Sequence, residues 1–207
     1  MPKGKRPEED GSGISRRDFF KTSTAGAVST AFISKQGMAA PGEVTKLGPD
    51  PVQVKLIVNG KARRLKVEPR VTLLDALRNE LEVTGPKKVC DRGTCGACTV
   101  LMDGKPVYAC SILAIEAEGK QIVTAEGLGS PDKLHPVQKA FVENDAQQCG
   151  FCTPGFVVAC QSFLEENPNP SVKDIKEGLG GNLCRCGTYK GIREAVLETA
   201  AKGGFDA

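Results

Sequence analysis

Eight of the nine cysteines in this 207-residue chain fall into two sets of four, one after the other along the sequence. The first is Cys90, Cys95, Cys98 and Cys110, spaced C-x4-C-x2-C-x11-C. The second is Cys149, Cys152, Cys184 and Cys186, spaced C-x2-C-x31-C-x-C. Four thiolates that must meet at one metal centre constrain a fold more tightly than propensity does, because distant loops have to converge on a point. Two small domains would each be marginal on their own cores, and ligation supplies stability that burial alone does not.

The first set places three cysteines in nine residues, Cys90-Asp-Arg-Gly-Thr-Cys95-Gly-Ala-Cys98. That is the plant-type ferredoxin spacing, completed by a fourth cysteine downstream. A loop that wraps a cluster so closely needs tight turns with positive φ, which Gly93 and Gly96 can supply. Ala97 keeps the wall near, and Cys110, at the end of an expected strand, closes the site from the other side. Zinc sites favour two cysteine pairs separated by a longer stretch, so a crowded triple is a poor zinc signature. Neither set contains a histidine, which excludes a Rieske centre.

The second set consists of two pairs, and both precede helical patterns. Cys149 and Cys152 lead into Thr153-Pro154, where Thr153 can cap and Pro154 can take the first helical position. Cys184-Arg185-Cys186 leads into another apolar-periodic stretch. Helix N-termini favour anions, and a thiolate-bound cluster is anionic. Amide hydrogen bonds to sulfur would also tune its potential. Alone, this spacing would suit zinc as well; beside the first set it reads as a second iron–sulfur centre. Two redox centres in series describe an electron relay.

The N-terminus carries an address. Arg16-Arg17-Asp18-Phe19-Phe20-Lys21 precedes a small-residue apolar run from Thr22 to Ile33, and Gly37-Met38-Ala39-Ala40 offers a cleavage site. This order resembles a twin-arginine export signal over residues 1–40, with a disordered basic tail as the bland alternative. Exported proteins usually oxidise cysteines to disulfides. An odd count with C-x-C and C-x2-C spacing suits a disulfide framework poorly. A route that carries proteins already folded around their cofactors removes the conflict, and it implies a periplasmic destination.

Charge narrows the partners. The first forty residues hold seven basic and four acidic side chains, which account for the whole formal charge of +3. The remainder is balanced, so nucleic acid is not an expected partner. No apolar run is long enough to span a membrane, so stable membrane insertion is not expected either.

The elements follow from pattern. Residues 41–51 read as a linker rich in proline and glycine. Val52–Val58 and Lys61–Val67 alternate as strands around Asn59-Gly60, a strong hairpin signal. Thr72 can cap a helix over Leu73–Leu81, followed by the ligand loop. A second hairpin is expected from Thr99–Met102 and Pro106–Cys110 around Asp103-Gly104, and a last strand at Ile122–Thr124. Hairpin, helix, ligand loop, hairpin is the order of a β-grasp ferredoxin domain over residues 52–126. After the turn-rich Glu126–Pro131, helices are expected at Pro136–Glu143, Pro154–Glu165, Val172–Leu179 and Ile192–Ala201. The fold class is therefore α+β: an N-terminal β-grasp, plant-type ferredoxin domain, then an all-α four-helix [2Fe-2S]-binding domain over residues 127–207.

These motifs together, from Cys90 to Cys110 and then Gln148-Cys-Gly-Phe-Cys-Thr-Pro-Gly and Gly181-Asn-Leu-Cys-Arg-Cys, resemble the small iron–sulfur subunit of the molybdenum hydroxylases, the xanthine oxidase and aldehyde oxidoreductase family. The resemblance covers residues 52–201. With the export signal it is nearest to a periplasmic aldehyde oxidoreductase. Val89 departs from the glycine common there before the first cysteine. The resemblance implies two [2Fe-2S] clusters on this chain. It implies a large partner subunit holding molybdopterin cytosine dinucleotide, and often a medium subunit holding FAD. It also implies that Gln148 and Cys186 lie against the pterin and that the first cluster faces the flavin. No residue of this chain is expected to be catalytic on substrate. A subunit of a purine, N-heterocycle or carbon monoxide hydroxylase and a free-standing two-cluster carrier remain the alternatives.

The other conspicuous residues have plainer readings. Cys160 lies on an apolar helix face and reads as a buried structural thiol. His135, the only histidine, reads as a loop or capping residue, and Asp91 and Arg92 as loop and surface residues. Gln148 could instead bond its own loop, and Arg185 could serve either the cluster region or an interface.

Overall fold

The computed structural model describes residues 46–203. The export segment and residues 41–45 of the linker lie outside the described residues. From Leu47 onward the chain forms one compact unit.

The sheet begins as its pattern dictates. β1 (Val52–Val58) and β2 (Lys61–Val67) pair antiparallel from Val52↔Val67 to Val58↔Lys61. Asn59 and Gly60 at the turn have φ of 49° and 74°, the positive pair that a two-residue hairpin needs to match strand twist. Val54, Leu56 and Val58 alternate inward and are buried. β3 (Thr99–Met102) and β4 (Lys105–Tyr108) form a second hairpin around Asp103-Gly104. β5 (Gln121–Val123) inserts between the hairpins, parallel to β1 and antiparallel to β3, giving the order β2-β1-β5-β3-β4.

The helix against this sheet differs from its expected form. Thr72 does cap it, accepting the Asp75 amide at 3.1 Å, and α1 starts at Leu73. After one α turn (Leu73–Asp75) the backbone widens into a π turn over Ala76–Glu80, with the Leu81 amide bonded to the Ala76 carbonyl. The wider turn keeps Leu73, Leu74, Ala76, Leu77 and Leu81 all buried. Arg78 then donates to the carbonyls of Thr84 and Pro86, both at 2.8 Å, which anchors the approach to the ligand loop.

Two more boundaries shift. The expected strand Pro106–Cys110 stops at Tyr108, and Ala109–Ser111 curls into a 3-10 turn. The ladder ends at Thr99↔Tyr108, and the turn brings Cys110 back toward Gly93. A second 3-10 turn, Ala114–Ala117, has no counterpart in the sequence pattern.

The helical part opens with a short α2 (Ala125–Leu128) where the sequence marks only a boundary. α3 (Pro136–Glu143) has His135 as its cap, whose Nδ1 accepts the Val137 amide. α4 (Thr153–Glu166) begins one residue early, so Cys152 rather than Thr153 is its N-cap. α5 (Val172–Gly178) is closed by a reciprocal Ser171–Asp174 capping box. α6 (Tyr189–Ala201) starts three residues before the expected Ile192. Phe141, Phe156, Leu164, Ile175, Ile192 and Val196 form the core of these helices. Among the described residues no helix is long and apolar enough to cross a membrane.

Candidate metal centres

The loop between α1 and β3 aims backbone donors at sulfur. Gly93 adopts φ +67° and its amide donates to Cys110 Sγ at 3.3 Å; the Thr94 amide donates to Cys90 Sγ at 3.4 Å. Gly96, at φ +69°, turns the chain so that Cys98 enters the core. The Cys90 thiol faces Cys95, and the Cys98 thiol faces Cys110. Hydrogen bonds from Thr94, side chain first and then backbone, lower the Cys90 thiol to about 6. Burial pushes Cys98 up to about 12. A buried thiol of that kind gives up its proton to a metal rather than to water.

The second set brings two chain segments together at the starts of α4 and α6. The Cys149 thiol faces Cys186, and the Cys152 thiol faces Cys184. Burial raises Cys152 to about 12. Burial also opposes ionisation of Cys184, but hydrogen bonds from Thr188, Cys152 and the Gly187 amide bring it down to about 7. The Cys184 amide donates to the Tyr189 hydroxyl at 2.9 Å, and Tyr189 packs edge-on against Phe156. The loop is thus tied to the helix it precedes. Cys149 and Cys186 are exposed, whereas Cys184 is buried.

Each set therefore holds two facing thiol pairs. That division suits a two-iron cluster, in which each iron takes two thiolates. The sulfur-directed amides and the tight glycine turns suit it too.

The two sets also share a boundary. Cys95 of the first and Cys149, Cys152 and Cys184 of the second line one cavity of about 410 Å³. Its walls include Val89, Phe151 and Leu183, each more than half exposed. These three apolar side chains sit inside or beside the cysteine motifs, and their position there is the one sequence signal that could have marked them. Arg185 lines the same cavity and is exposed.

The remaining residues fall as follows. Gln148 is exposed beside Cys149. Cys160 is fully buried in α4, and burial drives its thiol far up. Asp91 is an exposed loop residue paired with Lys88 at 3.1 Å.

Comparison with known proteins finds two iron–sulfur families along the chain. A 2Fe-2S iron–sulfur cluster binding domain family matches residues 56–127, and a [2Fe-2S] binding domain family matches residues 124–197. The chain is 40% identical over 204 residues to the aldehyde oxidoreductase iron–sulfur-binding subunit PaoA of Escherichia coli strain K12, covering 91% of this chain and 89% of that one. It is 46% identical over 157 residues to a probable xanthine dehydrogenase subunit of Bacillus subtilis, covering 74% and 90%. Its fold superposes on the crystal structure of the aldehyde oxidoreductase from Desulfovibrio desulfuricans with a TM-score of 0.70 and 48% identity. That match covers 72% of this chain and 17% of the longer one.

Proposed function

Because the chain belongs to the small iron–sulfur subunits of the xanthine dehydrogenase and aldehyde oxidoreductase family of molybdenum hydroxylases, we propose that it is the electron relay of an exported aldehyde-oxidising complex. Each bound [2Fe-2S] cluster takes up and releases one electron at a time. The residues of this chain hold, space and shield the two centres: Cys90, Cys95, Cys98 and Cys110 one of them, Cys149, Cys152, Cys184 and Cys186 the other.

The observation that carries the reading is the shared cavity, where Cys95 of one set meets Cys149, Cys152 and Cys184 of the other. Two centres held that close by one compact unit serve transfer between them. The exposed Cys149 and Cys186, with exposed Gln148 beside them, give the relay an outward end. A large subunit with molybdopterin cytosine dinucleotide would cover that end and the apolar wall of Val89, Phe151 and Leu183, with Gln148 and Cys186 against the pterin. The first set would then pass electrons to FAD on a medium subunit, or to another acceptor. We read the sheet part, 52–126, as the β-grasp ferredoxin domain and the helices, 127–207, as the carrier of the second cluster.

Aldehydes are the favoured substrate class. The match to PaoA spans so much of the chain that it runs into the N-terminal segment, where the export signal is read. In the Desulfovibrio aldehyde oxidoreductase the same fold is part of one longer chain, which supports a large partner here. Export already folded, with iron in place, would deliver the complex to the periplasm.

Purification of the native complex tests the proposal. Iron, molybdenum and a large partner are expected in one particle that reduces an electron acceptor with aldehydes. Absence of molybdenum and of the partner would overturn it. Leu183→Asp is expected to release the partner while leaving the iron content unchanged.

A further inference from the structure

The relay reading leaves open what sets the spacing between the centres, and one buried amide stands at that junction. We infer that Asn182 is a positioning residue for electron passage between the two centres, and this rests on the relay reading. Asn182 is 6% exposed, lies between Gly181 and Leu183, and is not a candidate ligand. Its Nδ2 donates to the Gly96 carbonyl at 3.0 Å and to Thr99 Oγ1 at 3.3 Å. Thr99 Oγ1 itself donates to the same Gly96 carbonyl at 2.6 Å. A side chain on the approach to Cys184 is thereby fixed to the residue that follows Cys95.

The consequence lies one residue further along. The Leu183 amide donates to the Cys95 carbonyl at 3.0 Å. Leu183 is bonded to Cys184, so one hydrogen bond and the intervening backbone join a candidate ligand of the first centre to one of the second. Tunnelling falls off exponentially across gaps, and a short hydrogen bond in a bonded route avoids a through-space jump. Asn182 holds that bond in register.

The junction has no slack. A β-carbon on Gly96 would lie 2.6 Å from the Asn182 side chain and 2.8 Å from the Gly181 carbonyl. Tyr108 adds a second tie, its hydroxyl donating to the Gly181 carbonyl at 3.0 Å. A buried amide costs free energy unless its polar atoms are paired, and the Asn182 donor group has both partners close by. Removing it would leave the Gly96 carbonyl held by Thr99 alone and the Leu183–Cys95 bond steadied on this side only by the Tyr108 tie.

The test uses the whole complex carrying Asn182→Ala, with Thr99→Val as the milder change that keeps the packing. Iron content is measured first, then the electron paramagnetic resonance spectrum of the fully reduced protein. The rate of electron equilibration between the centres after substoichiometric reduction follows. Asn182→Ala is expected to keep both iron signals, weaken their mutual spin–spin splitting, and slow equilibration several-fold; Thr99→Val is expected to do the same to a smaller extent. A merely structural role would lower the unfolding temperature and leave splitting and equilibration unmoved in loaded protein, and that result overturns the inference. Should Asn182→Ala lose iron, Thr99→Val decides, and unchanged splitting and rate there overturn it. Failure of the wild type to show two iron signals would instead overturn the relay reading itself.

Discussion

Gly155, in the first turn of α4, lies so close to Gly96 that a β-carbon on it would stand 2.4 Å from the Gly96 carbonyl oxygen. Backbone meets backbone here, so neither side can yield as a flexible side chain would. Gly155→Ala is therefore expected to act as an overpacking change and to destabilise the protein by about 1–3 kcal/mol. Denaturant unfolding of the iron-loaded protein, compared with wild type, measures it.

Gly93→Ala should loosen the first centre alone. The residue has φ +67°, and a β-carbon would reach 2.7 Å from Ser111 Oγ. The left-handed conformation costs roughly 1–2 kcal/mol for a residue with a β-carbon. Relief of that strain would pull the Gly93 amide away from Cys110 Sγ. Iron analysis and resonance spectra should show the second centre intact and the first depleted; equal loss from both would contradict the assignment of Cys110 to the first set.

The ninth cysteine separates burial from ligation. Cys160 is completely buried, and burial alone accounts for its raised thiol. Cys160→Ala should keep the full iron content and cost about 1 kcal/mol for the small void. Cys184→Ser should remove the second centre's iron while sparing the first. Iron per chain and the visible absorption of the two variants give the comparison.

Acid should weaken the start of α5. Hydrogen bonds from the Ser171 hydroxyl, and then from its amide, hold the Asp174 carboxyl below the usual aspartate range. A carboxyl with a lower pKa in the folded than in the unfolded chain stabilises the fold in full above the unfolded value. That contribution fades as pH falls through the folded one. The stability difference between wild type and Asp174→Asn should therefore shrink in acid below the ordinary aspartate range. Ser171→Ala should cost about 1 kcal/mol near neutral pH through loss of the cap.

Local chemistry makes much of this legible in the sequence. Asn59-Gly60 with alternation on either side marks β1 and β2 to the residue, and Thr72 announces the start of α1. The cysteine spacing marks both candidate sets but not which thiol faces which. That pairing depends on how two distant segments fold back on each other. The π turn at Ala76–Glu80 escapes because Leu73, Leu74, Leu77 and Leu81 fit an ordinary helix equally well. The strand expected to reach Cys110 stops short because the cysteine has to turn back toward Gly93. Gly155, Gly181 and Asn182 lie within the motifs, but what they touch escapes for a more general reason. Periodicity tells which side of an element is apolar, but not whose backbone lies against it.

The outward placement of Cys149 and Cys186 has a consequence for the life of the free subunit. A centre held partly by surface thiols is open to oxidants and chelators until something covers it, while the Cys98 and Cys110 side is sheltered from the outset. On the relay reading, the unassembled subunit is most perishable at that outward end. Loading would then have to be followed by docking, and a subunit that misses its partner would be the first to lose that iron. Perishability of this kind would act as a checkpoint on assembly that needs no separate inspector.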